Sequence, residues 1–138
     1  ARTNAKTPRD LEGSDAIVQQ CLDIIAFWMP RYWVIENPQT GLLKTRDIVQ
    51  GLSFNDVDYC MHGAPYRKRT RLWTNCTDWI PRPPCIHSTH PMTAQKGPSR
   101  RAGMLIQGDD CLLETLHSVP ESLTRELMLY ANEQTQEN

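Results

Sequence analysis

The sequence predicts an α/β fold in which helices cover a small open sheet. Apolar residues recur at helical spacing from Ile17 to Trp28, and a run of β-formers from Tyr32 to Ile35 follows closely. A helix, a short connection and a strand that is apolar on both faces are typical of a parallel sheet buried between helices. We therefore expect this strand to lie inside such a sheet.

The predicted first helix begins at Ser14, whose hydroxyl suits the N-cap position, and ends before Pro30. Polar residues Glu36-Asn37-Pro38 follow the buried strand, so they are expected at the carboxyl edge of the sheet, where open α/β folds bind ligands. Residues 39–54 are expected to form a loop or a short helix.

Two more strands are predicted at Val57–Met61 and Thr70–Thr74, and the Gly-Pro segment between them favours antiparallel pairing at a sheet edge. Residues 76–103 are rich in Pro, Gly and Ser and predict a loop. The final predicted element is a helix that begins near Pro120, with Leu123 on its apolar side.

Composition limits the class of protein. The 138 residues are the size of one domain, and 15 Lys and Arg against 16 Asp and Glu exclude a strongly basic histone-like or ribosomal protein. No stretch approaches the ~20 consecutive apolar residues of a membrane span, so no membrane partner is expected. Five irregularly spaced Cys residues without a signal-peptide pattern indicate an intracellular protein.

Charge is unevenly distributed along the chain. Residues 41–101 carry ten basic and four acidic side chains, whereas residues 102–138 carry one basic and seven acidic. A basic segment suits a polyanion, because neutralised phosphates release their counterions. A solvated charged face is the alternative interpretation.

Two groups of residues are candidates for chemistry. A carboxylate such as Glu36 at the end of a buried strand is partly desolvated and can donate a proton near neutral pH. Arg67, Arg69 and Arg71 would project to one side of a strand, where guanidinium groups suit phosphate or a base carbonyl. The alternatives are a structural Glu and a charged edge strand that resists aggregation.

The motif residues lie in two segments, Trp33–Asn37 and Gly63–Trp73, which follow Asp10–Asp15 and the predicted helix. These segments resemble the cytosine-C5 DNA methyltransferase family. They are most similar to its compact phage-, virus- and retroelement-associated members, over roughly residues 1–75. That family has a Pro-Cys loop, a helix, a strand ending in Glu-Asn-Val, and a Gly-x-Pro-Gln-x-Arg-x-Arg segment. Here Pro38 replaces the Val and Tyr66 the Gln, with one extra residue before the arginines.

The resemblance implies a class I, Rossmann-like methyltransferase sheet that transfers a methyl group from S-adenosylmethionine to C5 of a flipped-out cytosine. It implies that Glu36 contacts N3 and the exocyclic amine, that Asn37 shapes the turn, and that Arg71 contacts O2. Arg69 would support the loop that carries the nucleophile. Glu36 and Arg71 are thus expected to converge on one pyrimidine.

No Pro-Cys pair precedes Glu36, and no Gly-rich cofactor loop follows an early strand. The chain is therefore expected to be a fragment, the C-terminal part of such an enzyme, and to be inactive without the upstream part of the same domain. The expected location is the cytoplasm in a prokaryote or phage context and the nucleus in a eukaryote.

The sequence is divided into three parts. Residues 1–75 are the methyltransferase-like part, residues 76–103 a loop-rich basic segment for target recognition or zinc binding, and residues 104–138 a C-terminal helical segment. DNA is the expected partner, mainly through phosphate contacts. The candidate DNA-binding residues are Arg67, Lys68, Arg82, Lys96, Arg100 and Arg101.

Cys76, Cys85, His87 and His90 lie close together in the loop-rich segment. Two Cys and two His complete a tetrahedral Zn²⁺ site, which would order a segment rich in proline. Ordinary loop residues are the alternative. Three other functions stay open: a non-catalytic nucleic-acid-binding module derived from such an enzyme, a zinc-binding interaction module, and a methyltransferase with another target.

Overall fold

The structure, a computed structural model, describes residues 8–92 and 117–136. Within these ranges the elements are α1 (Leu11–Trp28), β1 (Val34–Pro38), β2 (Phe54–Asp58), β3 (Arg69–Thr74) and α2 (Glu121–Gln136). Short 3₁₀ turns occur at Leu43–Thr45, Asp47–Val49 and Tyr59–His62. The predicted α/β class is confirmed at this level.

The described strands form one three-stranded sheet in the order β1-β3-β2. β3 runs antiparallel to both neighbours, so β1 and β2 are parallel to each other without touching. The expectation that β1 is a doubly buried strand of a parallel sheet is therefore wrong for the described residues. β1 is an edge strand of this sheet, and its Val34 is 40% exposed. The strand is not buried on both faces because the apolar run starts before it and half of the strand is polar.

The two helices cover opposite faces of this sheet. Trp73 packs with Val18 of α1 and with Val49 of a 3₁₀ turn, and we call this side the α1 face. Leu72 packs with Leu123 of α2, and we call this side the α2 face. Neighbouring side chains in a strand point to opposite faces, so Leu72 and Trp73 belong to two different apolar cores, one on each side of the sheet.

α1 begins earlier than predicted. Its N-cap is Asp10 rather than Ser14, and the Asp10 carboxylate accepts a hydrogen bond from the Gly13 amide at 2.8 Å. The helix ends at Met29, which adopts a left-handed conformation with φ 46° and donates its amide to the carbonyl of Ile25. The end before Pro30 is therefore as predicted, whereas the predicted N-cap lies four residues later than the observed one.

The second strand was also misplaced. β2 ends at Asp58, and Tyr59–His62 form a tight turn that closes at Gly63 with φ 91°, a conformation that favours glycine. The predicted third strand and its antiparallel pairing with the second are confirmed. α2 begins directly after Pro120, as expected. No helix among the described residues has the length and hydrophobicity that crossing a membrane requires.

The packing of α2 on the sheet gives a stability prediction. Leu123 is fully buried, so Leu123→Ala should lower the free energy of unfolding by about 3 kcal/mol, through lost burial and a residual cavity. Leu129 is 54% exposed on the same helix, so Leu129→Ala should change it by less than about 0.5 kcal/mol. Urea denaturation of both variants measures the difference, and equal losses would contradict the packing described.

Candidate functional site

Three strand ends meet at one edge of the sheet. The carboxyl ends of β1 and β2 lie beside the amino end of β3, because Pro38 is opposite Thr70 and Asp58 is opposite Arg69. This is the edge at which the sequence predicts a ligand site. Most of the charged residues singled out from the sequence lie at or near it, but they are divided between the two faces.

Glu36 lies on the α2 face, paired with Leu72. Its carboxylate accepts a hydrogen bond from the Tyr59 hydroxyl at 3.0 Å and lies 3.4 Å from the ammonium group of Lys68. Lys68 also lies over the Tyr59 ring, with its Nζ atom 4.9 Å from the ring centroid. Burial raises the pKa of Tyr59, and the nearby Glu36 carboxylate raises it further. Tyr59 is therefore a neutral donor that holds Glu36 in place.

A cavity of about 390 Å³ lies between β1 and α2 and is bordered by Glu36. Most of its lining is apolar, with Tyr32 and Leu72 on the sheet side and Leu127 on the helix side. A volume in this range suits a small ligand, and a single carboxylate on an apolar wall can orient a polar ring. Glu36 therefore combines a fixed position with access to a cavity.

Arg71 lies on the α1 face, opposite to Glu36. Its guanidinium donates two hydrogen bonds of 2.8 Å to the Asp56 carboxylate and stacks 3.6 Å above the Phe54 ring. The expectation that Glu36 and Arg71 converge on one pyrimidine is wrong for this structure. The reason is the two-residue period of a strand: Leu72 faces the same side as Glu36, so its neighbour Arg71 faces away.

Arg69 also lies on the α1 face, where it binds Asp58. Its Nε and one terminal nitrogen donate to the two carboxylate oxygens at 3.0 and 2.7 Å. The Cys85 amide donates to the same carboxylate at 2.9 Å, and the Arg67 guanidinium lies 3.5 Å away. Burial works to raise the pKa of Asp58, but the hydrogen bonds from Arg69 and Cys85 outweigh it and hold the pKa below its ordinary value.

The acceptors between the arginines are therefore carboxylates of the protein itself. Asp56 and Asp58 are two residues apart in β2, and Arg69 and Arg71 are two residues apart in β3. The sheet register places Asp56 opposite Arg71 and Asp58 opposite Arg69. Neither acidic residue was among the candidates predicted from the sequence. Acidic residues two apart at 56 and 58 and arginines two apart at 69 and 71 would have indicated the pairing, but Asp56 and Arg69 lie just outside the predicted strands.

Asn37 also faces the α1 side and adjoins a tight turn after β1. The Gly41 amide donates to the carbonyl of Pro38 at 2.8 Å. A Cβ atom at Gly41 would lie 2.7 Å from the side-chain oxygen of Asn37, which is closer than real contacts allow. The turn therefore brings Gly41 against Asn37.

The candidate DNA-binding residues differ in what they contact. Arg82 donates to the carbonyl of Met61 at 2.7 Å and forms an ion pair with Glu126 of α2, so it joins the loop to the helix. Lys68 is engaged with Glu36 and Tyr59, whereas the Arg67 side chain is 41% exposed. The other three candidates, Lys96, Arg100 and Arg101, lie outside the described residues.

The four candidate zinc ligands do not all come together. Cys85, His87 and His90 are neighbours in the loop, but Cys76 is buried in the apolar core beside Trp79. Antiparallel β3 carries Cys76 to the opposite end of the sheet from Cys85. Cys60 lies beside Cys85 and His90 instead, because it follows β2 at the end of the sheet where β3 begins. The predicted pairing of the second and third strands could have placed Cys60 here.

Comparison with known proteins identifies a relative. Over 82 residues the chain is 34% identical to a protein named "Probable DNA (cytosine-5)-methyltransferase" from Frog virus 3 (isolate Goorha). The match covers 58% of this chain and 37% of the viral protein, so the chain corresponds to little more than a third of that protein. No protein-family model and no solved structure matches the chain. The match supports the resemblance that the motifs indicate.

The hydrogen bonds of Asp58 generate a prediction about acid stability. Since its pKa lies below the ordinary 3.8, its ionised form stabilises the fold above that value. This contribution is lost as the pH falls from about 4 to the lower pKa that Asp58 has in the folded state. Asp58→Asn should therefore lower the free energy of unfolding by about 3 kcal/mol at neutral pH and reduce its decline in acid.

Urea denaturation at several pH values between neutrality and acid measures this effect. The matched control is Asp23→Asn, because Asp23 is exposed on α1 and contacts only a side chain of its own helix, Gln19. The control should keep the acid dependence of the unmodified chain. An equally steep decline in the Asp58 variant would show that this carboxylate does not contribute.

Proposed function

We propose that this chain is part of an S-adenosylmethionine-dependent DNA (cytosine-5)-methyltransferase, which methylates C5 of a cytosine flipped out of the helix. The observation that carries the proposal is the 34% identity over 82 residues to the viral protein. The Glu-Asn pair at the end of β1 and the arginine segment at the start of β3 supply the residues that the family motifs would place near the base.

Glu36 is the proposed base-binding residue of this chain. A carboxylate can accept hydrogen bonds from the exocyclic amine of cytosine and from a protonated N3, and so stabilises the positive charge that develops on the ring. The Tyr59 hydroxyl and the Lys68 ammonium fix the orientation of this carboxylate. Its position at the border of the cavity between β1 and α2 leaves room for a planar ring.

Arg69 and Arg71 have a proposed positioning role. Both guanidinium groups bind carboxylates of β2 with two hydrogen bonds each, so a contact from Arg71 to O2 of a base would require it to leave Asp56. We propose that these two arginines hold β3 in register with β2 at the edge of the sheet that carries Glu36. Asn37 fixes the turn that follows the same strand.

The described residues contain no glycine-rich loop after a strand, so no contact to the cofactor is placed on them. S-adenosylmethionine would supply the methyl group, and the proposed upstream part of the domain would supply the thiolate. In such an enzyme the methyl group would pass to C5 as its bond to the sulfonium sulfur breaks and S-adenosylhomocysteine leaves, and the thiolate would add to C6 and depart again when a base takes the C5 proton. The chain described here contributes to the base side of that reaction.

DNA contacts are proposed on four basic residues, of which Arg67 lies within the described part of the chain. Arg67 is exposed beside the sheet edge, and phosphate binding would suit its guanidinium group. Lys96, Arg100 and Arg101 are assigned the same role from the sequence. A second candidate function is a non-catalytic nucleic-acid-binding module, which is favoured by the placement of Glu36 and Arg71 on opposite faces.

The enzyme proposal is tested on the protein made from its complete reading frame. Transfer of a tritiated methyl group from S-adenosylmethionine to duplex DNA, with 5-methylcytosine identified by mass spectrometry, is the expected activity. Glu36→Gln should lower kcat by about 100-fold or more, because it removes a charge that stabilises the transition state. Glu133→Gln, an exposed change on α2, should leave kcat unchanged.

The outcomes separate the two candidate functions. An unchanged kcat in the Glu36 variant would refute the role assigned to this residue. A protein that forms no 5-methylcytosine but binds duplex DNA with salt-dependent affinity would instead support the non-catalytic module.

A further inference from the structure

Cys60, Cys85 and His90 form a compact group of metal-ligating side chains away from Glu36. Their two sulfur atoms and one imidazole nitrogen all lie within 4.8 Å of one another. Cys60 belongs to the turn after β2, whereas Cys85 and His90 belong to the loop after β3. The group thus joins two segments that are distant in sequence.

The separations within this group fit a tetrahedral metal site. Zn–S bonds of about 2.3 Å and Zn–N bonds of about 2.0 Å place sulfur and nitrogen ligands roughly 3.5 Å apart around one ion. Cys85 Sγ lies 3.3 Å from His90 Nε2 and 3.6 Å from His87 Nδ1. His87 lies next to this group, and its side chain would have to move closer to Cys60 and His90 to become the fourth ligand.

The surroundings also hold the ligands in place without a metal. The Cys85 amide is bound to the carboxylate of Asp58, and Asp58 lies two residues before Cys60. Beyond His90, the Met92 amide donates to the carbonyl of Pro65 at 2.9 Å. Hydrogen bonds at both ends of the ligand-bearing segment thus attach it to the rest of the fold.

The backbone of this loop has little regular structure. Residues 76–92 contain four prolines and form no helix or strand, so few backbone hydrogen bonds fix its path. Two thiols that face each other in a half-buried site are a further feature that favours a metal.

We propose that Cys60, Cys85, His87 and His90 bind one Zn²⁺ ion, which fastens the loop after β3 to the turn after β2. Two thiolates and two neutral imidazoles form a common set for structural zinc, with no ligand position left for substrate. Binding releases the two thiol protons to solvent. The ion would thereby order the loop that carries Arg82 beside the sheet edge.

The test uses the full 138-residue chain, purified under reducing conditions. Elemental analysis should find one zinc per chain, and titration with Co²⁺ should give the d–d bands of tetrahedral coordination with a thiolate-to-cobalt charge-transfer band. Cys60→Ser and Cys85→Ser should each weaken metal binding by more than about 100-fold and reduce the charge-transfer band. His87→Ala should weaken binding but keep that band.

Cys21→Ser and Cys76→Ser are the matched controls, since neither residue belongs to the group, and both should bind one metal as the unmodified chain does. Cys60→His keeps a ligand at the same position and should retain binding with a weaker charge-transfer band, which separates lost coordination from lost folding.

Several results would overturn the proposal. They are a folded chain that binds less than one equivalent of metal, metal binding that Cys60→Ser leaves intact, and a disulfide between Cys60 and Cys85 in place of the metal. The proposed methyltransferase role depends on none of these ligands, so either proposal can fail without the other.

Discussion

The edge of the sheet at which the candidate functional residues lie depends on one buried carboxylate, that of Asp58. Burying a charge is costly unless it is paired and hydrogen-bonded, and Asp58 meets this requirement with two bonds from Arg69 and one from the Cys85 amide. These three bonds join the end of β2, the start of β3 and the proline-rich loop. Since this loop has no regular backbone ladder of its own, its attachment to the sheet relies on side chains.

The same pairing explains why two charge systems remain separate. On the α1 face, carboxylates of β2 neutralise guanidinium groups of β3, and Arg71 is further stacked on Phe54. On the α2 face, Glu36 is held by Lys68 and Tyr59. A row of arginines in a sequence therefore does not by itself indicate a bound polyanion, because acceptors within the protein can satisfy it first. Arg67, which is more exposed, has a carboxylate at a longer distance and more freedom to bind an external anion.

Much of the fold could be predicted from periodicity, whereas its register could not. The two helices and the pairing of β2 with β3 follow from local patterns of apolar residues and turns. The position of β1 beside β3 depends on long-range packing, which no local pattern specifies. Likewise, Cys85 and His90 could be grouped because they are close in sequence, but Cys60 joins them only through the strand pairing. The contacts missed from the sequence are thus mainly those made across the sheet.

The separation of Glu36 from Arg71 is set by the two apolar cores. A slip of β1 by one residue against β3 would turn Glu36 toward the α1 face, where Trp73 and Val49 are buried, and would move Ile35 out of that core. Such a slip would bury a charge without a partner, so the register is strongly fixed. Glu36 and Arg71 therefore stay on opposite faces of the sheet as long as this register holds.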